Sequence, residues 1–235
     1  MNPWKARLGY LSPSVFEIPS DWSLILPPGF NLVTTGLNVE SHTAEQFDKA
    51  IGGLESALSV FIAEEVDVLL LAGITIATQR GYKGEREIIS TLAQRLAIPI
   101  NSVLGANADA LNHLGAKKIV IATAYKDEIN ARVRQYFEEA GLQVAGIKGL
   151  NVSRPVDQVK LPLEASYNVA LSIFREHSNV DAILIHGRWP SLAHAERLEG
   201  ETGRPVVASV AASLWWVLKV LHMNLPVDGC GRLLR

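Results

Sequence analysis

The sequence predicts an α/β protein with two similar lobes, each built on a mostly parallel β-sheet. The first observation is the apolar run from Val180 to Ile185, which is rich in β-branched and aliphatic residues and stops at His186-Gly187. Such a run is typical of a strand that is buried on both faces, as in parallel sheets. The second observation is that Val66 to Gly73, in the first half of the chain, has the same residue pattern as Val180 to Gly187.

Two further pairs of segments repeat in the same order. Pro99 to Val103 and Pro205 to Val210 each end in Ser-Val after a strand that begins with proline. Arg7 to Ser12 and Lys118 to Thr123 each place a basic residue before an apolar run. The period of roughly 110 residues is much longer than that of solenoid repeats, about 20–50 residues, so a duplicated lobe explains it better.

These repeats define the expected domain organisation. We expect two pseudo-symmetric Rossmann-like lobes, residues 1–115 and 116–210, with an active-site cleft between them. The C-terminal segment 211–235 is expected to pack back on the first lobe.

Helices are expected between the strands, because apolar residues recur there at helical spacing. Thr43 and Gln46 have the spacing of a capping box at the start of the first of these helices. The proline-rich residues 19–30 are expected to be irregular. The expected helices cover about 43–65, 85–97, 107–114, 127–141, 167–174 and 213–221.

Charge and composition exclude several classes of function. A formal net charge of −2 and a pI near 6.3 provide no basic stripe, so we expect no nucleic-acid partner. The longest apolar runs are too short, or too polar at their ends, to span a bilayer, which needs about 20 residues. The first residues do not resemble a signal peptide, and a single cysteine forms no internal disulfide. We therefore expect a cytoplasmic protein without a membrane partner, and homo-oligomerisation is left open.

His186 is the first candidate for catalysis. Ligands of α/β folds bind outside the carboxyl ends of the strands, which would place His186 and Arg188 at the mouth of the cleft beside the Gly187 amide. The alternative is a histidine that only caps a strand.

Other strand ends supply hydrogen-bond donors. Gly73 allows backbone amides to approach a ligand closely, and Thr75 adds a hydroxyl donor. These residues are therefore candidates for an anion hole. Tyr125 follows the first strand of the second lobe, where its phenol can donate to an oxyanion, although buried packing explains it equally well. Pro13 ends the first strand, either as a simple turn or to hold serine hydroxyls toward the cleft. Asn151 lies in a loop that would help to shape the pocket.

The sequence contains no cofactor or metal signature. Cys230 lies in a Gly-rich tail without a second cysteine or clustered histidine and carboxylate ligands. Neither a GxGxxG nor a Walker sequence is present. We therefore expect neither a cofactor nor a bound metal.

Four motifs together resemble one group of enzymes. They are Leu8 to Pro13 (LGYLSP), Leu71 to Thr75 (LAGIT), Ala122 to Tyr125 (ATAY) and Leu184 to Gly187 (LIHG). They resemble the arylmalonate decarboxylase and maleate cis-trans isomerase branch of the aspartate/glutamate racemase superfamily, over nearly the whole chain. The resemblance implies a two-lobed fold and cofactor-independent chemistry on a small carboxylate substrate.

The same resemblance assigns roles to individual residues. Members of the superfamily use cysteines, up to one per lobe, and Gly73 and His186 stand at the two cysteine positions in this chain. The resemblance implies an oxyanion hole formed by the hydroxyls of Thr75 and Tyr125 with a backbone amide. Ile74 stands where the family often has a hydroxyl.

The absence of both cysteines limits the chemistry. His186 can replace a thiol as acid or base, because each group exchanges one proton near neutral pH. It cannot easily replace a thiolate nucleophile, and Gly73 supplies no second base, which argues against covalent addition and against two-base racemisation. We therefore expect an enolate-like intermediate in a decarboxylase- or isomerase-like reaction, with His186, Tyr125 and Thr75 as catalytic residues. The expected substrate-binding residues are Pro13, Gly73, Ile74, Gly187, Arg188 and Asn151.

Two alternatives stay open. The first is a hydrolase of a small amide, lactone or cyclic imide that uses the same oxyanion hole, and the second is a catalytically silent ligand-binding relative. In the enzyme, Arg188 is expected to bind a second substrate carboxylate and to lower the pKa of His186. Activity would then follow a group that titrates between about pH 5 and 7.5.

Overall fold

The computed structural model describes residues 5–13, 18–37, 39 and 44–235. The strands are β1 (Ala6–Ser12), β2 (Phe30–Gly36), β3 (Val68–Leu71), β4 (Ile100–Ser102), β5 (Lys118–Thr123), β6 (Gln143–Lys148), β7 (Ala182–His186) and β8 (Val206–Ala208). The helices are α1 (Asp21–Ile25), α2 (Ala44–Ala63), α3 (Thr75–Leu96), α4 (Val103–His113), α5 (Asp127–Glu139), α6 (Pro155–Gln158), α7 (Leu163–Glu176), α8 (Ala195–Thr202) and α9 (Ser209–Val220). None of these helices is long and apolar enough to cross a membrane.

The strands form two four-stranded parallel sheets with the same topology. The strand order is β2-β1-β3-β4 in the first sheet and β6-β5-β7-β8 in the second. Every pairing within the two sheets is parallel. The three repeated segment pairs of the sequence become β1 and β5, β3 and β7, and β4 and β8. The predicted α/β fold with two pseudo-symmetric lobes is therefore confirmed.

The repeated Val-Asp before β3 and β7 has a structural reason. The Asp67 carboxylate accepts a hydrogen bond from the Arg7 backbone N–H at 2.6 Å, at the start of β1. Asp181 does the same for the Lys118 backbone N–H at 2.8 Å, at the start of β5. Each aspartate thus satisfies a backbone amide near the amino-terminal end of the neighbouring central strand.

Alternating side chains of the central strands belong to different cores, which explains why these strands are apolar throughout. In β3, Leu70 joins the core shared by both sheets, whereas Leu69 packs on the outer core with α2 and α3. In β7, Leu184 joins the shared core and Ile185 the outer core on the far side of the second sheet. Strands buried on both faces lose the polar alternation of a half-exposed strand.

The helices α4 and α9 pack against each other in the shared core. Each follows the last strand of its sheet, so the two helices are equivalent in the repeat. The Ser102 side chain caps α4 by accepting a hydrogen bond from the Gly105 N–H at 2.8 Å, and Gly115 with φ +74° follows the helix end. The last residues, 231–234, contact α8 and β8. The boundaries 1–115 and 116–210 stay a prediction.

Several helices differ from the sequence-based expectation. Helix α3 begins at Thr75, ten residues before the expected start, and breaks at Gly81, where φ is 66° and ψ is −178°. The positive φ of Gly81 favours glycine, and a Cβ there would also lie 2.6 Å from Glu139 Oε2 on α5. Residues 19–30 contain the short helix α1, and α9 begins at Ser209. Local helix propensity is a weak guide to helix bounds, which explains why these bounds differ from the expected ones. The predicted capping box at Thr43 lies outside the described residues.

A buried carboxyl group lies where α3 packs against α5. Glu85 is 1% exposed, accepts a hydrogen bond from the Ser102 hydroxyl at 2.9 Å and accepts another from the Tyr136 hydroxyl. Burial raises the pKa of Glu85 from 4.5 to about 7, although both hydrogen bonds oppose the shift. The carboxyl therefore joins elements of both lobes and is partly protonated near neutral pH.

We expect the stability of the fold to depend on the protonation of Glu85. Because the folded-state pKa is raised, the stabilisation is fully present below pH 4.5 and is lost as the pH rises through 7. Glu85→Gln keeps a neutral acceptor and should remove this loss, which amounts to about 3 kcal/mol at about 1.4 kcal/mol per pKa unit. Denaturant unfolding at pH 5 and pH 8 measures the difference.

Glu87→Gln provides the matched control, since Glu87 is an exposed carboxylate on the same helix. This variant should follow the wild-type pH dependence. Equal pH dependence in the wild type and Glu85→Gln would show that the buried carboxyl does not titrate in this range.

Candidate active site

A small cavity lies at the carboxyl ends of the central strands. Its volume is about 30 Å³, enough for water but too small for an organic substrate without local rearrangement. Both sheets contribute to its wall, as expected for parallel strands that meet a ligand at their carboxyl ends. The lining includes Tyr10, Gly73, Tyr125, His186, Arg188 and Ser209.

His186 is the last residue of β7 and is only 2% exposed. Its Nδ1 lies 3.0 Å from Asn107 Nδ2 and 2.9 Å from Ser209 Oγ. Its Nε2 lies on the other side of the ring, 3.5 Å from the Tyr125 hydroxyl oxygen. Asn107 on α4 and Ser209 on α9 thus hold one nitrogen, and the other faces the phenol that lines the cavity.

Burial determines the charge of His186. It lowers the pKa of this histidine from 6.5 to about 4, so the imidazole is neutral at pH 7. The interval of pH 5 to 7.5 expected from the sequence is therefore too high for the free protein. The cause also differs from the expectation, because desolvation rather than the charge of Arg188 accounts for the shift.

Two phenols face the same cavity. Burial raises the pKa of Tyr10 to about 12 and also raises that of Tyr125, while the positive charge of Arg188 opposes both shifts. Both hydroxyls therefore keep their protons and can donate hydrogen bonds. The Tyr125 backbone N–H donates to Thr123 Oγ1 at 3.1 Å, which orients the residue at the end of β5.

Gly73 has a backbone conformation and an environment that strongly favour glycine. Its φ is +81°, and a Cβ at this position would lie 2.4 Å from Cγ of Pro13. Pro13 therefore packs directly over Gly73, next to the cavity. A cysteine side chain at position 73 would require the Pro13 ring to move.

Gly187 and Arg188 continue the cavity wall after β7. Gly187 has φ +132°, another conformation that favours glycine. The Arg188 backbone N–H donates a long hydrogen bond of 3.4 Å to Gln158 Oε1 on α6. The loop carries on to Ser191, whose N–H and hydroxyl both donate to the buried Asp21 carboxylate of α1, at 2.9 and 2.8 Å. This contact ties the loop after His186 to the segment that follows β1.

Four predicted site residues do not line the cavity through described side chains. The first is Pro13, which packs over Gly73 without being part of the lining. The Ile74 side chain is 3% exposed and packs in the hydrophobic core, directly before the first residue of α3. Asn151 is exposed with φ +57°, and its backbone N–H donates to the Tyr125 carbonyl at 3.1 Å. Thr75 is the first residue of α3, and its side chain lies outside the described part of the structure.

Sequence reasoning missed Tyr10, Asn107 and Ser209 as site residues. The sequence could have indicated Ser209, because it corresponds to Ser102 in the repeated segments that end in Ser-Val. Tyr10 lies within a strand and Asn107 within a helix, so the sequence alone indicates only a structural role for each side chain. Within residues 5–13, 18–37, 39 and 44–235, no three His, Cys, Asp or Glu side chains come together as metal ligands would.

Comparison with known proteins identifies the family to which this chain is similar. Residues 8–234 match the family model described as arylmalonate decarboxylase. A maleate isomerase from Nocardia farcinica is 29% identical over 97% of this chain and 95% of its own length. The arylmalonate decarboxylase of Bordetella bronchiseptica is 22% identical over 94% of this chain and 92% of its own length.

Solved structures agree with the fold. A liganded double mutant of arylmalonate decarboxylase superposes with a TM-score of 0.90 at 21% identity, covering 98% of this chain and 99% of that one. A mutant of the Nocardia farcinica maleate cis-trans isomerase with a covalently bound succinylcysteine intermediate gives 0.87 at 24% identity, covering 98% of each chain. With the family model matching almost the whole sequence, this chain belongs to the arylmalonate decarboxylase family.

Proposed function

We propose that this protein is a cofactor-independent enzyme that acts on a small carboxylic acid through an enolate-like intermediate, in a decarboxylase- or isomerase-like reaction. The observation that carries the proposal is the placement of His186 Nε2, 3.5 Å from the Tyr125 hydroxyl at a buried cavity. Relatives named as maleate isomerase and arylmalonate decarboxylase support the substrate class.

The chemistry must proceed without a cysteine at the cavity. The single cysteine, Cys230, is buried in the C-terminal tail and is not part of the cavity lining. Burial raises its pKa to about 12, so it stays a thiol. A covalent cysteine adduct, as named for the Nocardia farcinica isomerase mutant, has no counterpart here. Proton transfer at His186 Nε2 replaces it in our proposal.

The proposed reaction develops negative charge on substrate oxygens. When a carboxyl group leaves as carbon dioxide, the electron pair of the broken C–C bond moves into an enediolate. The neutral phenols of Tyr125 and Tyr10 donate hydrogen bonds to these oxygens, and the guanidinium of Arg188 balances their charge. The family resemblance implies the Gly187 amide and the Thr75 hydroxyl as further donors of the proposed oxyanion hole. In the proposed reaction, His186 Nε2 delivers a proton to the adjacent carbon.

Hydrolysis is the second candidate, favoured by one contact. Ser209 Oγ lies 2.9 Å from His186 Nδ1, a distance that suits a nucleophile and its base. Ser209 also donates to the Ile185 carbonyl at 3.2 Å and is only 3% exposed, which makes it less available to attack a substrate. The enolate reaction therefore fits the geometry better.

A panel of malonic, maleic and amide or lactone compounds in deuterium oxide separates these functions. Carbon dioxide release, or deuterium bound to product carbon, supports the enolate reaction. A new carboxylate without deuterium at carbon supports hydrolysis. Saturable binding without turnover of any compound would instead identify a ligand-binding relative and contradict the proposal.

We expect His186→Gln to lower turnover by roughly 100-fold or more, because glutamine keeps a polar group at the cavity but cannot exchange a proton. His186→Cys should retain part of the proton transfer, since a thiol is also a proton donor. Turnover number and Michaelis constant on the identified substrate measure both effects.

The control for this substitution is His177→Gln, which changes an exposed histidine after α7. That variant should match the wild type. Wild-type turnover by His186→Gln would show that the strand-end histidine is structural.

We expect Tyr125→Phe to lower turnover by about 100- to 1,000-fold with little change in stability, because it removes one oxyanion donor and keeps the ring. Steady-state kinetics and thermal unfolding measure the two quantities. Tyr167→Phe serves as the control, since Tyr167 bonds Glu201 away from the cavity. An unchanged turnover in Tyr125→Phe would remove this phenol from the proposed hole.

A further inference from the structure

Three buried polar atoms, one of which is His186 Nδ1, lie within hydrogen-bond distance of one another. Asn107 Nδ2 lies 3.0 Å from His186 Nδ1 and 3.1 Å from Ser209 Oγ, and the third side of the triangle, Oγ to Nδ1, is 2.9 Å. All three residues are at most 3% exposed. The Ser209 hydroxyl also has the Ile185 carbonyl as an acceptor, at 3.2 Å.

The hydrogens in this triangle determine which histidine nitrogen carries a proton. The Asn107 amide nitrogen has two hydrogens and can only donate. A hydrogen on Nδ1 would face the Asn107 N–H₂ group, so two donors would oppose each other at 3.0 Å. With Nδ1 bare, Asn107 donates to both Nδ1 and Ser209, and Ser209 donates to Ile185 or to Nδ1.

The reversed orientation of the Asn107 amide would place its oxygen toward Nδ1 and its nitrogen at the site of Oδ1. In the structure, Oδ1 is buried and accepts no hydrogen bond from the described residues. The inference therefore rests on the orientation that the structure shows, in which Nδ2 contacts both His186 Nδ1 and Ser209 Oγ.

We propose that Asn107 and Ser209 are positioning residues that hold His186 as the neutral tautomer with its proton on Nε2, the nitrogen that faces the cavity. The inference rests on the proposed function and specifies how His186 serves it. The histidine donates from a neutral imidazole, and an imidazolium ion does not take part.

The surroundings of the ring favour this neutral donor. A catalytic histidine that acts through its charged form usually has a carboxylate at Nδ1, which accepts the N–H and stabilises the cation. Here Nδ1 meets the Asn107 N–H₂ group and the Ser209 hydroxyl instead of a carboxylate. The other titratable or charged groups of the cavity lining are Tyr10, Tyr125 and Arg188, and the described lining contains no carboxylate. Burial lowers the pKa of His186, which also favours the neutral imidazole.

The protonation step balances without a further reactant apart from water. The Nε2–H bond breaks, a C–H bond forms at the enediolate carbon, and the electron pair stays on the ring as an imidazolate. The donors Asn107 and Ser209 stabilise this anion at Nδ1, and the ring recovers a proton from solvent. An imidazole held neutral at an active site can serve as a hydrogen donor to developing negative charge.

Long-range ¹H–¹⁵N correlation spectra of the uniformly labelled wild type test the tautomer directly. At pH 7 we expect His186, assigned by its loss in His186→Gln, to show a protonated Nε2 and a bare Nδ1, with no titration above pH 5. The exposed His177 in the same spectrum serves as an internal reference. A proton on Nδ1, or an imidazolium at pH 7, would overturn the proposal.

Asn107→Asp should reverse the arrangement, because an aspartate at this position accepts a hydrogen bond. We expect the His186 proton to move to Nδ1 and the pKa to rise by about 1–3 units, as for groups that gain a nearby opposite charge. Turnover should fall and should acquire a pH dependence that follows this pKa. Ser209→Ala keeps the Asn107 donor and should keep the proton on Nε2.

The two proposals can fail independently. The tautomer is read from the protein without substrate, so an inactive protein with a protonated Nε2 would contradict only the proposed function. An Asn107→Asp variant with an unchanged tautomer would contradict only the role of Asn107. Should that variant fail to fold, the wild-type spectrum still decides the tautomer.

Discussion

The packing of α4 against α9 is the constraint on which the site depends. These helices follow the last strands of the two sheets and meet in the core that both sheets share. Their contact brings Asn107 and Ser209 to the same side of His186. Because the helix pair is buried against apolar strands, the three polar residues can satisfy one another only in a few arrangements. The shared core thus orients the histidine as well as joining the lobes.

The duplicated lobes use equivalent positions for different purposes. In the first lobe, Ser102 ends its strand and donates to the buried Glu85, which supports the contact between α3 and α5. In the second lobe, the equivalent Ser209 contacts His186 beside the cavity. One lobe therefore places a buried titratable group at a packing interface and the other places one at the candidate active site. Burial raises the pKa of Glu85 and lowers that of His186. Both shifts favour the neutral form of the group, because burial disfavours charge of either sign.

In the proposed function, His186 takes the place of a family cysteine, and this exchange is chemically coherent if the histidine stays neutral. A thiol donates a proton as a neutral acid, and a buried imidazole with its proton on Nε2 donates in the same charge state. At the other cysteine position that the resemblance implies, Gly73 has a left-handed backbone with the Pro13 ring against it, and glycine supplies no second acid or base. The asymmetry between the lobes then predicts proton delivery from one face of the substrate.

The sequence by itself determined the α/β class, the two-lobed repeat and the strand ends that carry His186 and Tyr125, because apolar runs and their repetition are local properties of the chain. It could not identify Asn107 or Tyr10 as site residues, since each looks like ordinary helix or strand. Nor could it give the charge of His186, which depends on how completely the folded chain removes the ring from water. Tertiary structure alone decided these points, because hydrogen-bond partners and desolvation arise from residues that are distant in sequence.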